Sequence, residues 1–179
     1  MLSIDTVEAL TFYLTHFDDP PLTPSAEVAA LLFEHIDPVT GGEQTWVIEV
    51  PYPRGDDLLT GAYLQRVACV LPWRLPSMLR PTATGVTTVI ACAVRYADID
   101  QCDGLPRWTQ RVDAVDVDGR VYQLTRPHPD AAPHLRIDDR PDPAARTDIQ
   151  TGLTAVLAAA RTCACGDAAE PGARTAGRP

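Results

Sequence analysis

The sequence contains no lysine and no asparagine, and its only serines are Ser3, Ser25 and Ser77. Without lysine there is no GxxxxGK[ST] phosphate-binding loop and no amine for Schiff-base chemistry. None of the serines lies in a Gly-x-Ser-x-Gly motif, and there is no GxGxxG sequence. These absences argue against several large enzyme classes and favour a protein that is not an enzyme.

The joint absence of lysine and asparagine, which are both encoded by AT-rich codons, indicates a GC-rich bacterial genome. Selection against lysine-directed tagging would explain the first absence but not the second. All fifteen basic residues are therefore arginines.

Long apolar runs are also missing, so the sequence predicts no membrane span. The N-terminal residues 1–5 carry neither the basic charge nor the continuous apolar run of a secretory signal. Five cysteines cannot all pair within one chain, and Cys69 and Cys92 lie in apolar runs, where free thiols usually act as small inert hydrophobic residues. We therefore expect a cytoplasmic protein that does not bind membranes.

The negative charge is concentrated near the N-terminus, because residues 1–60 hold eleven acidic residues and one arginine. Nucleic-acid phosphates require the opposite sign, so a nucleic-acid partner is not expected there. The simpler interpretation is a solvated, solubilising face. The alternative is a docking surface for a basic protein, or an imitation of nucleic-acid charge.

With 179 residues and a hydrophobic fraction of 45%, the chain is long enough to bury a core without disulfides or metal. We predict an α+β fold with a largely antiparallel sheet of about four strands, covered by N-terminal and C-terminal helices. Residues 1–165 are expected to form one globular domain. Residues 166–179 are too poor in large apolar side chains to fold and are expected to be a disordered tail.

Two N-terminal helices, over residues 5–17 and Pro24–Ile36, are predicted to form an acidic helical hairpin within residues 1–42. The second is indicated by the helical spacing of its apolar residues, Val28, Leu31, Leu32 and Ile36. Residues 57–72 fit either a helix or a strand. Capping and length favour a helix, although Gly61 weakens it.

The sheet is expected within residues 43–126, with a strand over residues 45–52 and a central strand over residues 85–97. Asp118-Gly119 lies between two strand-like runs and predicts a tight hairpin. Residues 127–145 are rich in proline and aspartate and predict a loop, and residues 146–165 predict a helix.

The segment Leu71–Pro81 combines large apolar residues, arginines and prolines in what the pattern predicts to be a connection. Tryptophan, methionine and arginine are enriched in protein–protein contacts. The candidate partner-binding residues are Trp73, Arg74, Met78, Leu79 and Arg80. The alternative is that the segment folds back and completes the core.

A metal site is the rival hypothesis, because His128, Asp130 and His134 could supply three zinc ligands within seven residues. Cys163 and Cys165 could join it, although their spacing is not Cys-x-x-Cys. The simpler interpretation is a solvated loop with surface histidines. Near Cys102, the surrounding aspartates disfavour a thiolate and do not match a calcium-binding loop.

We therefore expect a non-catalytic binding or accessory protein that contacts a protein partner of unknown identity and needs no cofactor. A small metal-dependent enzyme or metal sensor is the first alternative, and a domain that binds an apolar small ligand is the second. A homo-oligomer is compatible with the sequence.

Overall fold

Six strands form one antiparallel sheet in the computed structural model of the protein, in the order β2-β1-β3-β4-β5-β6. The structure describes residues 28–50, 60–78, 86–102, 105–126 and 131–166. Its elements are β1 (Val28–Ile36), β2 (Glu43–Glu49), α1 (Thr60–Met78), β3 (Val86–Cys102), β4 (Leu105–Asp116), β5 (Val121–Arg126), β6 (His134–Asp138), a short 3-10 helix (Pro143–Ala145) and α2 (Asp148–Gly166). The α+β class is confirmed, with six strands where the sequence predicted about four.

The helix predicted over Pro24–Ile36 is wrong, because residues 28–36 form strand β1. This strand lies between β2 and β3 and pairs antiparallel with both. Its residues Ala29 to Phe33 are all buried, so side chains pointing to either face meet apolar neighbours. A strand buried on both faces has a continuous apolar run rather than an alternating one, and short runs of this kind mimic helical spacing.

Residues 127–145 were predicted to be a loop, and this too needs correction. His134–Asp138 forms strand β6 beside β5, and Pro143–Ala145 forms the 3-10 helix. The predicted tail began at residue 166, but Gly166 is the last residue of α2. The predicted helix over residues 5–17 and the rest of the predicted tail, residues 167–179, lie outside the described residues.

The helix face of the sheet, which we define as the side that packs against α1 and α2, holds the larger core cluster. Leu31 and Phe33 of β1 and Val94 of β3 meet Leu64 and Leu71 of α1 there, together with the buried side of α2. The opposite face holds a second buried cluster, whose members are Leu32, Ala91, Ala93, Val112, Ala114, Tyr122 and Leu124. Burial on both sides confirms that β3 is a central strand.

The predicted hairpin between β4 and β5 is confirmed, and Gly119 takes the positive φ of 85° that its turn requires. Asp116 organises this turn, although its side chain is buried. Its carboxylate accepts hydrogen bonds from the backbone N–H groups of Asp118 and Arg120, each at 2.9 Å. It also accepts one from the Tyr122 hydroxyl at 2.9 Å. A buried carboxylate with several donors is far less costly than an unpaired one.

The two helices approach each other most closely at two glycines. A Cβ atom added at Gly152 of α2 would lie 2.7 Å from the Leu64 Cβ, and one added at Gly61 of α1 would lie 2.8 Å from the Asp148 Cβ. Both distances are shorter than a carbon–carbon contact allows. Gly61 therefore does not argue against the helix, since it permits the helix to pack.

Helix α1 continues through Pro72 and Pro76 to Met78, so residues 71–78 are its last turns rather than a connection. A proline inside a helix has no N–H to donate to the carbonyl four residues earlier. Pro72 lies on the exposed side of α1.

In Gly152→Ala the added methyl group forces the helices apart, which costs about 1–3 kcal/mol. Alanine normally brings a helix a gain of about 1 kcal/mol, so the free energy of unfolding is expected to fall by up to about 2 kcal/mol. Chemical denaturation of both proteins measures the difference.

Ala158→Gly, at an exposed position of the same helix, is the matched control. It is expected to destabilise the protein by about 1 kcal/mol, as the loss of helix propensity requires. A stabilised Gly152→Ala protein would contradict the close helix contact.

Candidate functional site

Helix α1 presents a face to solvent that carries few charges. Its buried face consists of Tyr63, Leu64, Val67, Leu71 and Leu75. The outer stripe of α1, as we call the opposite side, consists of the exposed residues Ala62, Gln65, Arg66, Cys69, Pro72 and Trp73. Arg66 is the one charged residue among these six, whereas exposed helix faces are normally rich in charge.

Trp73 is the most exposed large hydrophobic residue of the outer stripe, with 86% of its surface accessible. The neighbouring core positions of the same helix are filled by Leu71 and Leu75, both fully buried. The helical period therefore turns the indole away from the core. The alternative in which this segment completes the core holds for the two leucines but not for Trp73.

The other residues predicted beside Trp73 are only partly placed. Arg74 and Met78 belong to the last turns of α1, and Leu79 and Arg80 lie outside the described residues.

The candidate metal ligands are not brought together within the part of the chain that the structure describes. His128 and Asp130 lie outside it, and His134 is exposed on β6. Over the described ranges, no group of three or more histidine, cysteine, aspartate or glutamate side chains is placed to hold a metal ion.

The cysteines that the sequence singled out lie at the ends of elements. Cys102 is the last residue of β3, and Cys163 and Cys165 belong to the final turn of α2. Of the aspartates near Cys102, Asp98 forms an ion pair with Arg111 on β4, with 3.2 Å between the carboxylate Oδ2 and the guanidinium Nε.

A polar network on the helix face was not predicted from the sequence. Register places Arg111 opposite Tyr96, and Asp113 opposite Gln123, on three neighbouring strands. Both Tyr96 and Asp113 are buried, with 8% and 3% of their surfaces exposed. The Gln123 amide and the Tyr96 hydroxyl donate hydrogen bonds to the Asp113 carboxylate.

Burial raises the pKa of the Asp113 carboxyl above its ordinary value of 3.8, against the opposing effects of the Gln123 hydrogen bond, the Arg111 charge and the Tyr96 hydrogen bond. Burial, and then the negative charge of Asp113, raises the pKa of the Tyr96 hydroxyl. Tyr96 therefore remains a donor at neutral pH. Because neighbouring strands supply the partners of Asp113, the network explains how a carboxyl is accommodated in the sheet without a ligand.

The sequence does carry a signal for this network. In Arg111-Val112-Asp113-Ala114 and in Gln123-Leu124-Thr125, polar and apolar residues alternate strictly. Alternation predicts that the polar residues share one face. It does not tell which strands are neighbours, so the meeting of Asp113, Gln123 and Tyr96 requires the sheet order.

No family model, no curated protein and no solved structure matched the chain. Among the described residues, no helix has both the length and the apolar content that crossing a membrane requires.

Asp113→Asn tests the raised pKa of the buried carboxyl. A carboxyl whose pKa is higher in the folded state contributes stability that is complete below its unfolded pKa and is lost as pH rises through the folded pKa. The free energy of unfolding of the natural protein, minus that of Asp113→Asn, should therefore fall as pH rises from about 4. The expected fall is about 1.4 kcal/mol for each unit by which the pKa is raised.

Urea denaturation at a series of pH values measures this difference. In a Tyr96→Phe background, which lacks one donor to the carboxylate, the fall should begin at the same pH but extend to higher pH, because that hydrogen bond holds the folded-state pKa down. A difference that stays constant or increases with pH would contradict a raised pKa at Asp113.

Proposed function

We propose that the protein is a non-catalytic binding or accessory protein that contacts a protein partner through the outer stripe of α1, with Trp73 as the principal contact. The observation that carries this proposal is the 86% exposure of Trp73 on a helix whose other side is buried. Single exposed apolar residues are common on protein surfaces. Here the tryptophan is accompanied by Ala62, Cys69 and Pro72, and Arg66 is the one charged residue of the stripe.

The composition of the outer stripe matches the centre of protein interfaces, where charged residues are depleted and tryptophan and arginine are enriched. Covering an indole in a partner pocket removes on the order of 150–250 Å² of surface from water. At about 25 cal/mol for each Å², this corresponds to roughly 4–6 kcal/mol before the costs of association. One such residue can supply most of the affinity of a moderate complex.

Arg66 lies two helical turns before Trp73 on the same stripe and forms no ion pair within the described ranges. An arginine beside uncharged residues is suited to a carboxylate on the partner, because its guanidinium group can bind both carboxylate oxygens. The partner surface that fits this stripe is an apolar pocket with an acidic residue about 10 Å away, the rise of seven helical residues.

The proposal predicts that a photo-crosslinking amino acid at position 73, introduced in the cells that make the protein, forms a discrete adduct with one partner. The same amino acid at position 39 is the control, because Val39 is also highly exposed, at 84%, but lies in the β1–β2 turn. Mass spectrometry identifies the partner from the adduct at position 73.

Affinity for that partner is then measured for two matched substitutions. Trp73→Ala should weaken binding by about thirtyfold or more, as expected for an interface hot spot. Val39→Ala should change it less than about twofold, as expected for a residue outside the interface. Equal crosslinking at positions 73 and 39, or unchanged binding by Trp73→Ala, would refute this site.

A further inference from the structure

Strand β6 lies at the edge of the described sheet and pairs there with β5 alone. Its residues His134, Leu135, Arg136 and Ile137 are all exposed. An edge strand presents unpaired backbone N–H and C=O groups, and these can pair with another strand. The feature does not depend on the outer stripe of α1 or on the function proposed for it.

The two faces of β6 differ in character. Leu135 lies opposite Leu124 of β5 and Ile137 lies opposite Tyr122, so both continue the apolar cluster of the opposite face beyond its buried part. They are 38% and 46% exposed. His134, Arg136 and Asp138 alternate with them and lie on the helix face.

We propose that β6 pairs antiparallel with β6 of a second copy of this chain, in the register centred on Ile137. In this register Ile137 lies opposite its own copy, and Arg136 of each chain lies opposite Asp138 of the other. Because the arrangement is two-fold symmetric, each of these charge pairs forms twice. The apolar face of each sheet then continues across the junction into the other.

The register can be centred on any of the three interior residues of β6, Leu135, Arg136 and Ile137, with the apolar residues kept on one face. Of these three registers, charge favours the one centred on Ile137. Centring the pair on Arg136 places two arginines directly opposite each other. Centring it on Leu135 places His134 opposite Arg136 of the second chain, so that Arg136 gains no acidic partner. Like charges in directly opposite positions destabilise a strand pair, and opposite charges stabilise it. Only the register centred on Ile137 pairs Arg136 with an acidic residue.

The same side chains explain why the edge would accept a copy of itself rather than any strand. Charged residues on an edge strand normally oppose pairing with other chains. Arg136 and Asp138 are two residues apart, so this pattern is complementary to its own reversed copy. In this register residues Arg136 to Asp138 of the two strands lie opposite each other, which makes a ladder of three residues, and small interfaces are typical of weak complexes. The expected dimer is therefore reversible and depends on concentration.

Sedimentation velocity of the complete chain over protein concentrations from about 10 µM to 1 mM tests the proposal, because weak complexes dissociate in this range. The natural protein should shift from monomer to dimer. Arg136→Asp and Asp138→Arg should each raise the dissociation constant at least about tenfold, since each replaces two attractive pairs with two repulsive ones. Val39→Lys, an exposed apolar position far from β6, is the control and should leave the dimer unchanged.

The double substitution Arg136→Asp with Asp138→Arg restores both pairs with reversed polarity and keeps the net charge. It should therefore form the dimer again. Since Asp138 also accepts a hydrogen bond from the Arg140 backbone, near-UV circular dichroism checks that each variant is folded. A natural protein that remains monomeric throughout, or a folded double variant that does not recover, would overturn the proposal.

Discussion

The close contact between α1 and α2 at Gly61 and Gly152 fixes the rotation of α1 about its axis. The Leu64 Cβ occupies the space that a side chain at position 152 would need. Helix α1 therefore cannot rotate about its axis without losing this close packing against α2. That rotation directs Leu64, Val67 and Leu71 into the core and leaves Trp73 outside. The exposed surface of α1 is therefore determined by two residues that have no side chains, Gly61 of α1 itself and Gly152 of α2.

The sheet imposes a second constraint, because β1 and β3 are buried on both faces and all other strands are arranged about them. Polar residues within this frame must find partners in the sheet itself. Asp116 does so through the β4–β5 turn, and Asp113 through Gln123 and Tyr96. The hydrogen bonds of both carboxyls join neighbouring strands of the meander of β3, β4 and β5.

The elements that were predicted correctly are those determined by residues that are neighbours in the sequence. The Asp118-Gly119 turn, the β-branched run that begins β3 and the two described helices are all visible in the sequence, because turn dihedrals, β-propensity and helical spacing are properties of neighbouring residues. Strand β1 was predicted as a helix since burial on both faces removes the alternation that identifies a strand. Strand β6 was missed because it is only five residues long and follows a proline-rich segment.

The candidate sites likewise combine features that the sequence predicts with features that depend on the fold. The unusual composition around Trp73 is visible in the sequence, but its exposure depends on which side of α1 meets α2. The network around Asp113 depends on the order of the strands, which no local pattern specifies. The edge at β6 requires both the strand and its place at the end of the sheet.

The strand order also has a kinetic consequence. The sheet consists of two ladders formed by strands that are consecutive in sequence, β1–β2 and β3 to β6, and the pairing of β1 with β3 joins them. That pairing connects Val28–Ile36 with residues beyond position 85, and the intervening chain includes all of α1. Closing such a long loop costs entropy before any contact compensates for it. We therefore expect the two ladders to form early and independently. The pairing of β1 with β3 is then expected to be the step that limits the rate of folding.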